Sequence, residues 1–269
     1  MKNNIHLLFN HAKKTRDFVL DMIFPLECLS CGMEGEWLCE KCFRKIEIKE
    51  TQYCLQCKKE NKFGEFCDNC NLKYSLDGVL IAGNYEDEVI AKLIKSLKYH
   101  FARDIAEELS KFLILFLKDL ITKNKIKKID FNNGIGFEKF KEHKNIPNFL
   151  LNFKDNLIIP VPLHKKRERW RGFNQAELIA KIVARYFNLD FCASKLVRVK
   201  YKKPQAKLGE RDRLINILEC FKWVGEDLRG RNIIIVDDVA TTGSTLNECS
   251  KVLKASGAGE VFGLVVAKG

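Results

Sequence analysis

Apolar residues follow two rhythms along this chain, and the rhythm changes at identifiable places. From Asp77 onward, short β-branched runs alternate with longer stretches in which apolar residues recur every three or four positions. The segments GVLIAGNY, LIIPVPL, KLVRVK, ECFKWV, NIIIVDDV and VFGLVVAK have the continuous apolar character of strands. The segments EVIAKLIKSLKY, DIAEELSKFLILFLKDL, FNQAELIAKIVARYF and TLNECSKVLKASGA carry helical seams, the last closed by Gly257. Buried strands alternating with amphipathic helices predict an α/β fold with a mainly parallel sheet covered on both faces.

Before Asp77 the pattern is different. Ile5, Leu8, Phe9, Ala12, Val19, Met22 and Ile23 fall near helical spacing and Pro25 ends the run, so residues 1–24 are expected to form an amphipathic helix. Its polar face mixes both charge signs, which favours packing on the protein over lying on a membrane. Residues 25–75 have too few aliphatic side chains for a core and are expected to form a small module of their own, with 76–269 as the α/β domain. Within that domain, residues 118–156 are rich in Lys and Asn without a sustained period and read as an excursion with no assigned chemistry. The chain has 269 residues, 46% of them hydrophobic and only 5 of them Pro, which is enough for a full core and argues against long disorder.

Cysteine usage explains the coreless segment. Of 11 cysteines, eight lie between Cys28 and Cys70, whereas Cys192, Cys220 and Cys249 are scattered like small buried apolar residues. The eight form four CxxC knuckles: Cys28/Cys31, Cys39/Cys42, Cys54/Cys57 and Cys67/Cys70. Each knuckle offers two thiolates to a tetrahedral ion, so two structural zinc sites are expected, with metal replacing the missing core. Sequential pairing of the knuckles is simplest, and an interleaved pairing also fits the spacing. Iron–sulfur ligation is the rival, disfavoured by the regular CxxC spacing. No secretory signal is visible and no run reaches transmembrane length, so reduced thiols and a cytoplasmic location are expected.

The most informative stretch is IIIVDDVATTGST. A buried strand delivers two carboxylates, Asp237 and Asp238, at its carboxyl end, where ligands bind in open α/β sheets. A turn of small and hydroxylated residues around Gly243 then leads into a helix near Thr245. Backbone N–H groups of such a turn, the helix N-terminus and the Thr and Ser hydroxyls form an anion site. Ionised carboxylates beside it suit sugar hydroxyls or a divalent cation that accompanies phosphate. Donors for phosphate next to acceptors for hydroxyls describe a phosphorylated sugar. Two like charges side by side are not expected to stabilise the fold.

Two basic segments support that reading. VPLHKKRERWRGFNQAE follows a buried strand and carries His164, Lys165, Lys166, Arg167, Arg169 and Arg171; VRVKYKKPQAKLGERDR carries Lys202, Lys203, Gln205, Lys207, Arg211 and Arg213 without an apolar period. The formal net charge of +12 favours anionic partners in general.

The stretch around Asp237 resembles the phosphoribosyl pyrophosphate (PRPP) motif of type I phosphoribosyltransferases. Taken with VPLHKKRERWRGFNQAE, LIKSLKYH, the second basic segment and the Cys-rich start, the chain resembles the ComF family of competence-associated proteins over nearly its whole length. The resemblance implies a zinc-ribbon module before a type I phosphoribosyltransferase-like domain. It implies that Asp237 and Asp238 hold the ribose and that Thr241, Thr242, Gly243, Ser244 and Thr245 hold the 5′-phosphate. Pro162, Leu163, His164 and Lys165 would form the pyrophosphate loop, and Pro204–Arg213, including Gln205 and Arg211, a loop closing over PRPP. Mg would accompany PRPP. The partners implied are PRPP, single-stranded DNA and other competence proteins, in DNA uptake during natural transformation, at a cytoplasmic or membrane-peripheral location. Phosphoribosyl transfer to an unidentified acceptor is the enzymatic reading. Nucleobase salvage, or binding of PRPP or single-stranded DNA without turnover, are the alternatives.

Overall fold

The computed structural model describes residues 26–99, 102–123, 147–200 and 219–269, so the amphipathic helix expected over 1–24 lies outside the described residues. The chain divides into two compact units, Met1–Glu47 and Ile48–Gly269. In the first, an antiparallel bridge joins Glu27 to Glu34, and a single-turn helix α1 (Glu40–Phe43) starts directly after Cys39. Among its described residues the buried apolar side chains are Cys28, Leu38, Cys39, Cys42 and Ile46. Three of these five are cysteines, so thiols stand at the centre of the described part.

The second unit starts with a two-residue hairpin, β1 (Gln52–Tyr53) against β2 (Glu60–Asn61), and a short helix α2 (Asp68–Asn71). Then come β3 (Gly78–Asn84), α3 (Glu88–Tyr99) and α4 (Ile105–Lys123). After residues 124–146, which are not described, a turn of helix α5 (Asn148–Leu151) precedes β4 (Leu157–Pro160). The remainder is α6 (Lys165–Arg171), α7 (Gln175–Phe187), β5 (Asp190–Phe191), β6 (Leu196–Arg198), β7 (Phe221–Trp223), β8 (Ile233–Ala240), α8 (Ser244–Ala255) and β9 (Val261–Lys268).

The expected parallel sheet is present, with five strands in the order β3-β9-β8-β4-β5 and parallel pairing throughout. Two of the expected strands are not in it. KLVRVK and ECFKWV supply β6 and β7, which pair antiparallel as a separate ladder, Leu196 opposite Trp223. The excursion expected from residue 118 also starts later, because α4 runs on to Lys123.

Strand alternation divides the core. Val79, Ile81, Leu157, Ile159, Ile233, Ile235, Val261 and Val265 share one cluster with Leu246, Cys249 and Leu253 of α8. The same cluster holds Cys54, Leu55, Phe66, Cys70 and Leu76, so the second pair of knuckles is continuous with the core of the α/β unit. Backbone pairing fixes it there. Phe66 N–H donates to the Asp77 carbonyl at 3.1 Å and Val79 N–H to that of Gly64 at 2.9 Å. Gly64 has φ +69, and a Cβ there would lie 2.0 Å from the Val79 carbonyl oxygen, so no other residue permits this approach. The fully buried Gln52 uses its side-chain amide as a strand would, accepting from Ile81 N–H at 2.9 Å and donating to its carbonyl at 3.0 Å.

Candidate phosphate and sugar site

From β4 the chain turns to β5 on one side, and from β8 to β9 on the other, although β4 and β8 are neighbours with Pro160 opposite Val236. That reversal is a topological switch point, and open α/β sheets bind ligands in the crevice expected at the carboxyl ends of such strands, here β4 and β8. The loops after both strands carry the expected residues.

After β8, Thr241 is exposed, Thr242 and Thr245 are half-buried, and Gly243 and Ser244 are buried. Gly243 is the N-cap of α8, with φ +74 and no side chain to cap it. The first turn of α8 contains no acidic residue, so the helix dipole favours an anion there, although the Ser244 N–H already donates to Thr242 Oγ1 at 3.4 Å. The Thr242 and Ser244 hydroxyl oxygens stand 2.5 Å apart.

Asp237 and Asp238 follow the continuously buried run 233–236 of β8, and alternation sends them to opposite faces of the sheet. Asp238 is 3% exposed, and its Oδ2 pairs with Lys98 Nζ of α3 at 2.5 Å. Burial alone would lower the Lys98 ammonium, but Asp238, and more weakly Asp237, raise it above its ordinary value. Asp237 Oδ1 accepts from Asp238 N–H at 2.9 Å. Desolvation first, and then the Asp238 charge, push the Asp237 carboxyl well above the usual carboxylate range.

After β4, Val161 N–H continues the ladder to the Val236 carbonyl at 2.9 Å. Pro162 is buried, Leu163 and His164 are half-buried and Lys165 is exposed. His164 caps α6, its Nδ1 accepting from Lys166 N–H at 3.2 Å. Desolvation, followed by the cations of Arg198, Lys166, Arg169 and Lys165, holds this imidazole below its ordinary value, in the neutral form that can accept. Asn174 fixes the far end of the segment. Its Oδ1 accepts from Ala176 N–H at 3.1 Å as the α7 cap, and its Nδ2 donates to the Val161 carbonyl at 3.0 Å.

Three further cations belong near the site, of which the sequence placed only Arg171 there, within its basic segment. Lys98 is one. Arg171, 3% exposed, donates through Nη1 to Gln175 Oε1 and feels both Asp237 and Asp238. Arg198, at the end of β6, acts on both His164 and Cys249. The buried Nε atoms of Arg171 and Arg198 have no hydrogen-bond partner among the described residues, and anion oxygens satisfy such donors. Gln205 and Arg211 lie outside the described residues.

The eight clustered cysteines form two groups, Cys28/Cys31/Cys39/Cys42 and Cys54/Cys57/Cys67/Cys70, with all sulfurs of a group within 4.8 Å of one another. Four thiolates about 2.3 Å from one tetrahedral ion stand about 3.8 Å apart. The Cys31–Cys39 and Cys57–Cys67 sulfurs are separated by 3.7 and 3.5 Å, a single-ion spacing that is too tight to enclose a multi-iron cluster and too long for a disulfide. Burial pushes the Cys28 thiol up, but the N–H groups of Cys39, Cys31 and Ser30 bring it down to about 6. Cys54 is brought down to about 7 in the same way by Cys57, Cys67 and Gln56. These are thiols disposed to ligate as thiolates. Both groups fit zinc, and the pairing is sequential.

Comparison with known families matches residues 19–71 to the double zinc ribbon domain and residues 174–268 to the phosphoribosyl transferase domain. A double zinc ribbon followed by a phosphoribosyl transferase domain is the order that the resemblance to the ComF family implies. "Competence protein F" of Haemophilus influenzae is 29% identical over 246 residues, covering 88% of this chain and 95% of that protein. "DNA utilization protein YhgH" of Escherichia coli K12 is 27% identical, covering 88% and 94%. "Competence protein ComFC" of Bacillus subtilis is 28% identical, covering 82% and 80%. Among the described residues no helix is long and apolar enough to cross a membrane.

Proposed function

We propose that this ComF-type chain binds PRPP in the crevice between β4 and β8 and serves DNA uptake, in keeping with relatives named for competence and for DNA utilization. The observation that supports this best is the loop after β8, where an uncapped helix N-terminus with two adjacent hydroxyls follows directly on two carboxylates. Thr241, Thr242, Gly243, Ser244 and Thr245 hold the 5′-phosphate, and Asp237 and Asp238 accept from the ribose hydroxyls. The Pro162–Lys165 loop, with Arg171 and Arg198, receives the pyrophosphate. The resemblance assigns Gln205 and Arg211 to the same ligand. A divalent ion travelling with PRPP supplies charge neutralisation on the pyrophosphate.

Transfer, where it occurs, breaks the bond between the anomeric carbon and pyrophosphate, the electron pair leaving with the oxygen, while an acceptor nucleophile forms the new bond. Asp238 stabilises the positive charge that develops on the sugar, and Asp237 joins it on losing its proton. Asp238 must exchange Lys98 for a ribose hydroxyl, which frees the ammonium for the anionic ligand.

Two features favour single-stranded DNA as the further partner. Trp170 is 60% exposed within the basic helix α6, and Tyr99 is 56% exposed with the Arg171 guanidinium 6.0 Å from its ring centre. Exposed aromatic rings among cations form a stacking platform for bases. Titration with single-stranded DNA at several salt concentrations tests this arm, and an affinity independent of salt would contradict it. Pyrophosphate release from PRPP with a panel of nucleobases tests turnover. Rapid release with one base would favour salvage over the uptake role.

A further inference from the structure

The second cysteine cluster and the phosphate loop are in direct contact. Gly243, at the loop's left-handed turn, lies under the Leu55 side chain, and a Cβ on Gly243 would fall 2.4 Å from Leu55 Cδ2. Leu55 sits inside a knuckle, between Cys54 and Cys57. Its backbone is set by the turn that presents those thiols, with Cys54 N–H donating to the Lys59 carbonyl at 2.8 Å and Lys58 N–H to that of Cys54 at 2.9 Å. The chain leaving the cluster grips the first turns of α8. Asn247 Oδ1 accepts from the N–H groups of Ser75 at 2.8 Å and Leu76 at 3.3 Å, and the Ser250 hydroxyl donates to the Ser75 carbonyl at 2.7 Å. Cys54, Leu55, Cys70 and Leu76 are buried in one cluster with Ala240, which ends β8, and Leu246 of α8.

These contacts touch the loop at its turn and along the helix that presents its N–H groups. Anion binding by backbone amides depends on those amides being held in place before the ligand arrives. Within the turn, Thr242 Oγ1 meets the Ser244 hydroxyl and N–H, but Gly243 has no side chain to fix its left-handed position, and here Leu55 covers it. The cluster therefore does more than replace a missing core.

We propose that the second four-cysteine cluster is a positioning element for the phosphate loop, with Leu55 as the positioning residue. The metal state of Cys54, Cys57, Cys67 and Cys70 then sets how well the loop holds a phosphorylated sugar. The part concerning ligand rests on the PRPP reading above; the part concerning loop order does not.

The test uses the full chain in three forms: wild type, Leu55→Ala and Leu55→Met, the last keeping the bulk over Gly243. Hydrogen exchange of residues 241–247, zinc content and calorimetry with PRPP and Mg are measured on each. Leu55→Ala should keep its zinc and lose exchange protection selectively over 241–247, while β4 and β9 stay as protected as in wild type. Its PRPP affinity should fall about tenfold, the equivalent of one well-placed hydrogen bond to an anion. Leu55→Met should restore both. Cys57→Ser, which removes a ligand of the second cluster, should reproduce the local loss of protection. Unchanged exchange over 241–247 in Leu55→Ala and Cys57→Ser, or a rise spread evenly over the whole sheet, overturns the proposal. The exchange measurement needs no ligand, so a wild type that fails to bind PRPP would defeat the functional reading and leave this one to be decided by exchange.

Discussion

Asp238→Asn changes one charge at a position where the structure predicts two separable effects. From the sequence, two adjacent acids beside an anion site are not expected to stabilise the fold, and removing one should leave stability almost unaltered. The Lys98 ion pair reverses that expectation. Lys98 is 22% exposed and Asp238 4% exposed as side chains, so the amide substitution leaves an ammonium largely out of water without its counter-charge. Breaking a fully buried pair from one side costs about 3 to 5 kcal/mol. The remaining exposure of Lys98 and the retained amide oxygen reduce this to about 1 to 3 kcal/mol. For a unit of this size the melting temperature should fall by about 2 to 12 °C. Urea and thermal denaturation of wild type, Asp238→Asn, Lys98→Met and the double variant form a cycle that isolates the pair. The double variant should recover most of what Asp238→Asn loses. PRPP affinity responds separately: losing a charge-assisted hydrogen bond should weaken it about 10- to 150-fold, and Lys98→Met should not rescue that loss. An Asp238→Asn protein as stable as wild type would refute the pairing argument, and unchanged PRPP affinity would refute the role of the acid.

The remaining predictions concern the metal, the second acid and a buried cation. Elemental analysis of protein prepared without chelator should find about two zinc per chain, one for each group of four thiolates; iron with visible absorbance, or a metal content near zero, would contradict it. The Asp237 carboxyl titrates higher in the folded than in the unfolded chain, so the native state binds more protons and stability falls as pH rises from about 4 through the raised value. Asp237→Asn should therefore melt higher than wild type at neutral pH, with the difference vanishing toward about pH 4; a melting temperature at or below that of wild type would show the acid to be ionised and stabilising. Arg171→Lys keeps the charge but loses the guanidinium fork and its unpartnered Nε, so calorimetry should find PRPP bound about tenfold more weakly. Equal affinity would remove Arg171 from the site.

The loop at Asp237 was legible in the sequence because each of its parts is local. A continuous apolar strand, two acids at its end, a small turn and a helix in register are contiguous, and the structure keeps them so. The two cysteine groups were legible for the same reason, with each knuckle separated by two residues and the pairing sequential. Pairing direction was not: KLVRVK and ECFKWV read as strands by composition, but nothing in a strand's own pattern shows whether it joins the parallel sheet or pairs elsewhere, and β6 and β7 form their own ladder. Nor did the sequence reveal that the second cluster shares the α/β core. Leu55, Phe66 and Leu76 are isolated apolar residues without a period, and their burial depends on partners about 170 to 200 residues away, among them Leu246 and Leu253. The role of Lys98 was hidden in the same way, because its partner is 140 positions further along the chain.

Calorimetric titration of PRPP with Mg into the full chain tests the central claim most directly, carried out beside the same titration of a variant with Thr242 and Ser244 replaced by Ala. The account predicts saturable binding of one PRPP per chain by the wild type. It also predicts a loss of at least about tenfold in the variant, whose two hydroxyls, 2.5 Å apart, have left the loop. A wild type that takes up no PRPP, or a variant that binds it equally well, would contradict the assignment of the crevice between β4 and β8 to a phosphorylated sugar.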